Sequence, residues 1–230
     1  MTVSNSNPNF QTSQRPNVQT SQHPNVHTQK QTDNQQSLKM ANIAIFASGT
    51  GTNARKIIEY FKENANIHVA LVVSNKATAP VLDIAGEYGI DKMVAGRRSF
   101  YETEELLQAL REKDISLIVL AGFLWLIPDY LVRAYEKRMV NIHPALLPKY
   151  GGKGMYGMHV HRAVKAAGDK VSGITIHYVN EHYDEGGIIF QASCPIRPED
   201  EPEDIARKVQ RLEHKHFAPV VEQIVLNLKK

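Results

Sequence analysis

The sequence contains a single cysteine, Cys194, among its 230 residues. An internal disulfide and a metal site built from several thiolates are therefore excluded within this chain. Cys194 has no basic cluster near it in the sequence, and we interpret it as a packing residue. No stretch approaches the roughly 18 apolar residues of a membrane helix, and no apolar segment follows a basic N-terminus as in a secretory signal. We therefore expect a cytoplasmic protein with no membrane partner.

The sequence also has little net charge. Its 27 basic and 24 acidic residues leave a formal charge of +3. Residues 1–39 hold three basic side chains and one acidic side chain, so the rest of the chain carries only +1. Domains that bind duplex nucleic acid usually present a strongly basic surface. The charge therefore predicts no nucleic-acid partner.

Residues 1–39 form a polar repeat that differs from the rest of the chain. An eight-residue unit recurs at 8–15 (PNFQTSQR), 16–23 (PNVQTSQH) and, in part, 24–28 (PNVHT). A unit with one apolar residue buries too little surface to offset the entropy of ordering, so we predict a disordered tail. The folded domain is predicted at 40–230, and Met40, directly before the first strand, is a candidate alternative start.

From Ala41 onward, apolar patterns alternate between strand and helix periods. They predict strands at 42–47, 68–73, 115–120 and 139–142, and helices at 54–64, 78–88, 100–113 and 128–137. Thr78 is the expected N-cap of the second helix. Segments 171–179 and 187–192 predict two antiparallel strands, and 202–228 predicts a long helix. The fold class is therefore α/β, with a doubly wound, Rossmann-like, mostly parallel sheet, helices on both faces and ligands at the carboxyl ends of the strands.

The loop Ser48–Asn53 (SGTGTN) joins the first predicted strand to the first helix. Glycines and small hydroxyl residues at a helix N-terminus let backbone N–H groups approach an anion. The loop lacks the Gly-Lys-Ser/Thr of a P-loop, and Ser74-Asn75-Lys76 stands where a dinucleotide site needs an acidic residue. A single phosphate fits this loop best, and a plain tight turn is the alternative.

A second candidate site lies at the end of the strand near 139–142. Alternation places Asn141 and His143 on one side of it, where an amide and an imidazole suit acid and oxyanion chemistry. The long loop 145–158, with four glycines, is able to cover a substrate. Asp184, beside His143, would raise the imidazole pKa and favour the imidazolium. A structural histidine and an acidic turn are the alternatives, and the scattered histidines predict no metal site.

These segments together resemble the phosphoribosylglycinamide formyltransferases, folate-dependent enzymes of purine synthesis. The resemblance covers nearly the whole chain after Met40, in the family's order. It rests on SGTGTN at 48–53, VLAGFLWLIP at 119–128, NIHPALLPKYGGKGMYGMHVH at 141–161, GITIHYVNEHYDEGG at 173–187 and QRLEH at 210–214. It implies formyl transfer from 10-formyltetrahydrofolate, the co-substrate, to the amine of glycinamide ribonucleotide, with no metal.

The resemblance also implies roles for individual residues. Asn141, His143 and Asp184 fall on the catalytic positions. Gly51, Thr52 and Asn53 fall on the phosphate loop, and Glu213 on a position that holds the ribose or glycinamide. Either Arg97 or Arg98 matches a folate-binding arginine. The other positions implied to line the folate pocket are Leu124, Trp125, Leu126, Ile127, Asn180, Glu181, His182 and Tyr183.

The sequence departs from the family pattern in two places. Glu185 separates Asp184 from Gly186, and the loop after Pro148 is longer than expected. The alternative functions are a formyltetrahydrofolate hydrolase, a methionyl-tRNA formyltransferase and a non-catalytic nucleotide-phosphate sensor. The hydrolase adds a regulatory domain that the polar tail does not resemble, and the tRNA enzyme adds a C-terminal domain for which this chain has no room. We expect small-molecule substrates as the only partners of a monomer or homodimer.

Overall fold

A computed structural model describes residues 40–229, so the predicted tail at 1–39 lies outside the described residues. Seven strands and seven helices follow one another within that range. The strands are β1 Ala41–Phe46, β2 Ile67–Ser74, β3 Asp91–Val94, β4 Ile115–Leu120, β5 Met139–His143, β6 Val171–Tyr178 and β7 Ile188–Pro195. The helices are α1 Thr52–Phe61, α2 Val81–Glu87, α3 Arg97–Tyr101, α4 Glu105–Glu112, α5 Asp129–Ala134, α6 Met158–Ala166 and α7 Pro202–Leu228.

The strands form one mixed sheet in the order β3-β2-β1-β4-β5-β6-β7. The five strands from β3 to β5 are parallel, whereas β6 pairs antiparallel with both β5 and β7. The predicted doubly wound sheet with antiparallel strands near the C-terminus is confirmed. The chain runs outward from β1 to β3 and then returns to β4, so the order reverses between β1 and β4. Ligands bind at such a reversal in open α/β sheets.

Alternation along β1 shows how the two faces of the sheet are covered. Ile43 and Ile45 belong to a core cluster shared with α1, α2, α6 and α7. Ala44 and Phe46 belong to a second cluster, shared with α3, α4 and α5. All four side chains are fully buried, as expected for a parallel strand that helices cover on both sides.

Two predicted helices differ from the observed ones. The second begins at Val81 with Pro80 as its N-cap, so the prediction of Thr78 as N-cap is wrong. The predicted helix at 100–113 is two helices, α3 and α4. The break has a local cause: the Thr103 hydroxyl lies 3.4 Å from the Ser99 carbonyl oxygen and 3.4 Å from the Glu105 amide, and a side chain that bonds the backbone in this way competes with helical bonding.

The C-terminal helix α7 agrees with its prediction at both ends. Pro202 occupies its first turn, and the side chains of Glu201 and Asp204 form a reciprocal capping box. Within residues 40–229, no helix combines the length and apolar character needed to cross a membrane.

Candidate active site

The ends of β1, β4 and β5 meet at one edge of the sheet, where two loops are bonded together. The Ser48 amide donates to the Gly122 carbonyl oxygen at 3.0 Å, and the Leu124 amide donates to the Ser48 hydroxyl at 2.9 Å. Ser48 is thus a structural link between the loop after β1 and the loop after β4. Both loops are thereby held beside the end of β5, which carries Asn141 and His143.

The loop after β1 leads into α1 with its backbone N–H groups available. Gly51 is the N-cap, with φ +73°, and a Cβ there would contact Val81 at 2.7 Å, so glycine is required. The first turn of α1 has no acidic side chain. Asn53 donates to Glu213 of α7 at 3.0 Å, and its own Oδ1 has no partner among the described residues. Burial raises the pKa of Glu213, an effect that the Asn53 bond opposes.

Asn141, His143 and Asp184 lie together although 41 positions separate the last two. The Asp184 Oδ2 atom is 3.4 Å from His143 Nδ1, and Asp184 Oδ1 is 3.4 Å from the Asn141 amide nitrogen. His143 is 3% exposed, so its contact with Asp184 is shielded from bulk water. The predicted grouping of these three side chains is therefore found in the structure.

The charge balance at His143 differs from the prediction. Burial lowers the pKa of His143, and the Asp184 charge and the Tyr150 carbonyl only partly oppose that effect. The prediction of a raised pKa is wrong because it counted the carboxylate and omitted the loss of solvent. Burial alone would raise the pKa of Asp184, but bonds and charges from His177, His143 and the Gly152 amide lower it. Asp184 is therefore a carboxylate at neutral pH.

Sequence reasoning missed His177, a buried residue of β6. Its Nδ1 lies 2.8 Å from the Tyr178 carbonyl oxygen, which only accepts, so Nδ1 carries the proton. Its Nε2 lies 3.1 Å from the Asn141 amide nitrogen and 3.6 Å from Asp184 Oδ1. The signal was the alternation of β6, which puts Thr175 and His177 on one face of a buried strand.

The long loop after β5 is bonded directly to the catalytic candidates. The Tyr150 carbonyl oxygen lies 2.7 Å from His143 Nε2, and the Gly152 amide donates to Asp184 Oδ2 at 2.9 Å. The other departure from the family pattern is Glu185, which the turn between β6 and β7 accommodates. The next residue, Gly186, has no space for a side chain. A Cβ at Gly186 would overlap the Tyr178 carbonyl oxygen, so the turn requires glycine at that position.

These residues surround a cavity of about 730 Å³, a size typical of small-molecule sites. The predicted folate-pocket residues in its wall are Leu124, Trp125, Leu126, Ile127, Asn180, His182 and Tyr183. Glu181, Arg97 and Arg98 are not in the wall. The Arg97 guanidinium stacks on Tyr101 at 5.5 Å and on Trp125 at 5.9 Å, so Arg97 is the arginine that touches the aromatic side of the site.

His161 of α6 is a second residue that sequence reasoning did not assign to the site. It lines the same cavity at 5% exposure, and its Nδ1 has no hydrogen-bond partner among residues 40–229. Burial and the neighbouring His143 lower its pKa. Across the described part of the chain, no group of three or more His, Cys, Asp or Glu is arranged to hold a metal ion.

An Asn–His–Asp cluster in a small-molecule cavity, at the carboxyl ends of the strands of a doubly wound sheet, is typical of an α/β enzyme that uses acid–base chemistry. Comparison with known proteins identifies the particular family. The sequence model described as "Formyl transferase" matches residues 41–221. The chain therefore belongs to the formyl transferase family.

Several of its relatives are named for the same activity. The chain is 42% identical over 188 residues to "Phosphoribosylglycinamide formyltransferase, chloroplastic" of Arabidopsis thaliana, covering 79% of this chain and 64% of that protein. It thus spans less than two thirds of the plant relative's length. It is 36% identical to the Bacillus subtilis phosphoribosylglycinamide formyltransferase, covering 81% of this chain and 95% of the relative. The crystal structure of that enzyme from Anaplasma phagocytophilum superimposes with a TM-score of 0.75 at 33% identity, covering 82% of this chain and 88% of that one.

Proposed function

We propose that this protein transfers the formyl group of 10-formyltetrahydrofolate to the amine of 5'-phosphoribosylglycinamide, a step of de novo purine (IMP) synthesis. The observation that carries the proposal is the grouping of Asn141, His143 and Asp184 within 3.4 Å contacts in one cavity. The family membership and the names of the relatives support this choice of reaction. The amine is itself the nucleophile, which agrees with a site that uses no Ser or Cys nucleophile.

The cavity has a part suited to each substrate. Asn53 lines the cavity, whereas Gly51 and Thr52, directly before it in the chain, do not. The N–H groups at this start of α1 suit the phosphate because helix N-termini attract anions. Glu213, bonded to Asn53, suits a ribose hydroxyl or the glycinamide, and the free Asn53 Oδ1 is a further acceptor for a substrate N–H or O–H. The wall Leu124–Ile127 suits the flat ring system of the folate.

Asn141 and His143 act on the oxygen that gains negative charge when the amine adds to the formyl carbon. The Asn141 amide has one close bond to His177, at 3.1 Å, and a longer one to Asp184, at 3.4 Å. The longer bond is the one that an oxyanion replaces. His143 donates a hydrogen bond to that oxygen from its Nε2–H, in place of the bond to Tyr150, and it becomes the imidazolium by taking the proton that the amine loses. Donors fixed in advance in this way contribute about 10²–10³ in rate each.

Asp184 relays that proton from the amine to His143, directly or through a water molecule, and its regained charge then stabilises the imidazolium. Its lowered pKa keeps it ionised for that task. His177 positions both partners, since it fixes the Asn141 amide and lies beside the Asp184 carboxylate. The departing folate nitrogen receives the proton in the final step, which returns the site to its starting state.

Formyl transfer with purified protein tests the proposal. Protein, 10-formyltetrahydrofolate and glycinamide ribonucleotide are mixed, and absorbance follows the loss of the formyl group, with a water-only control in parallel. Turnover that requires the ribonucleotide supports the proposal. Turnover in the control identifies a hydrolase instead, and phosphate-ligand binding without folate affinity identifies a nucleotide-phosphate sensor.

We extend the proposal to the surroundings of the enzyme. We propose a cytoplasmic location and a monomeric or homodimeric state. The Arabidopsis relative is named as chloroplastic, so fractionation of the source cells is the deciding measurement for location, and light scattering for the oligomeric state.

A further inference from the structure

The active-site cavity has a single permanent positive charge in its wall. Among the described residues that line it, Lys153 is the only lysine or arginine. The other basic groups there are imidazoles, of which His143 and His161 have lowered pKa values. A substrate that carries a doubly charged phosphate therefore meets one fixed cation in this cavity.

The bonds on its N-terminal side hold Lys153 at the site. Two residues of the same loop touch the catalytic candidates, through the Tyr150 carbonyl oxygen on His143 and the Gly152 amide on Asp184. Gly152 and Gly154, on either side of the lysine, have φ values of +95° and +89°. The backbone is thus bonded next to the catalytic residues and bends sharply around Lys153, whose flexible four-carbon stem lets the ammonium group move.

Among the residues that the structure describes, three basic side chains near the site are paired with carboxylates, whereas Lys153 is not. Arg55 and Lys56 of α1 are paired with Glu87 and Glu59. Lys149, four residues before Lys153 in the same loop, is paired with Asp169 at 3.2 Å. Within residues 40–229, no carboxylate lies within ion-pair distance of the Lys153 ammonium, whose side chain is exposed to the cavity mouth. Its charge is therefore available to a ligand.

The structure assigns Lys153 as the residue that positions the phosphate group of the ribonucleotide substrate, an inference that rests on the proposed function. Asn53, next to the free N–H groups of α1, lines the same cavity as Lys153. The backbone groups at α1 supply directed hydrogen bonds but only a partial charge. An ammonium group adds the full charge that a phosphate dianion needs, and charge-assisted bonds are about twice as strong as neutral ones.

Calorimetric titration tests this role without relying on catalysis. Ribose 5-phosphate and glycinamide ribonucleotide are titrated into the wild type, Lys153→Gln, Lys153→Arg and the control Lys149→Gln, which removes the same charge from the same loop. We expect Lys153→Gln to raise the Kd of both phosphate ligands by roughly tenfold to a hundredfold. Lys153→Arg should stay within about threefold of the wild type, because it retains the charge, and Lys149→Gln should match the wild type.

The dephosphorylated glycinamide riboside separates phosphate binding from a general effect on the loop. Its affinity should be the same in the wild type and in Lys153→Gln. An equal loss for riboside and ribonucleotide would overturn the inference. So would a loss confined to the apparent affinity for the folate co-substrate, which would place Lys153 on the folate carboxylates. Absence of formyl transfer would refute the proposed function. The titration with ribose 5-phosphate would still decide the assignment of Lys153, because binding of this ligand needs no turnover.

Discussion

Replacing Asp184 with Asn removes the only carboxylate beside His143 among the described residues and keeps nearly the same shape. The pair is separated by 3.4 Å, and the Asp184 side chain is 11% exposed. Two opposite unit charges at that distance attract by about 1 kcal/mol in bulk water and by about 5 kcal/mol at an effective dielectric constant of about 20. If the imidazolium forms in the transition state, kcat falls by roughly tenfold to a few thousandfold.

The pH dependence carries the mechanistic information. Without the Asp184 charge, burial lowers the pKa of His143 further, because the strongest interaction that opposed burial is gone. The part of the kcat profile that depends on the ionisation of His143 should therefore move to lower pH in the variant. This shift can be followed by stopped-flow or absorbance measurements of kcat. A range from about pH 5 to about pH 9 is suitable because it brackets the ordinary histidine pKa.

Glu185→Gln is the matched control for this experiment. It removes the same charge from the adjacent residue, whose side chain is exposed and whose contacts do not include His143. Circular dichroism and thermal unfolding establish that both variants are folded. The reasoning is refuted if Asp184→Asn keeps kcat within about threefold of the wild type, or if Glu185→Gln loses as much.

Three further predictions concern stability, folate binding and the buried carboxyl. In urea titrations, Gly173→Ala should lower the free energy of unfolding by about 2–4 kcal/mol, because the new Cβ overlaps the Ala192 carbonyl oxygen across β6 and β7. Gly86→Ala, within α2, should raise the free energy of unfolding by about 0.5–1 kcal/mol. Equal effects of the two substitutions would contradict the packing argument. Arg97→Ala should raise the KM for the folate co-substrate about tenfold, because the Arg97 guanidinium contacts Trp125. Arg98→Ala should raise this KM less than about twofold. The reverse order in steady-state kinetics would exclude Arg97 as the folate-binding arginine. Since burial raises the pKa of Glu213, the folded state holds that proton to higher pH than the unfolded chain, and stability falls as pH rises through the raised pKa. The Tm of Glu213→Gln should exceed that of the wild type by an amount that grows as pH rises through this raised pKa, and the variant should bind the ribonucleotide more weakly. A Tm difference independent of pH would show that burial does not disfavour the ionised carboxyl.

Most of the sheet could be predicted from the sequence because its strands are buried on both faces. The segment 115–120 (ISLIVL) is apolar at every position except Ser116, and this pattern can be recognised without knowing which strands lie beside it. The antiparallel pair β6–β7 followed from the short connection between the two strands, which leaves little room for a crossover helix. The long helix α7 could be predicted from its amphipathic pattern, and Pro202 with the capping box of Glu201 and Asp204 agrees with its observed start.

The parts that were missed depend on contacts between distant segments. Strand β3 has an exposed, charged pattern, so only its pairing with β2 defines it. Helix α6 follows a glycine-rich loop and carries two histidines, which gave no apolar period to detect. His177 becomes part of the site only because β6 pairs with β5 in the register that sets it opposite Asn141. The lowered pKa of His143 likewise depends on burial, which sequence spacing does not report.

The hydrogen bonds from the loop to His143 and Asp184 have a consequence for selectivity. In this structure, the Tyr150 carbonyl oxygen and the Gly152 amide already act as internal ligands of those two side chains. An incoming molecule gains only the difference between its own bonds and the ones it displaces, so isolated single contacts contribute little to binding. A molecule that bridges both positions displaces the loop in one event, whereas a lone water molecule competes at one position at a time. The resting site thereby discriminates by size and reach before any chemistry begins.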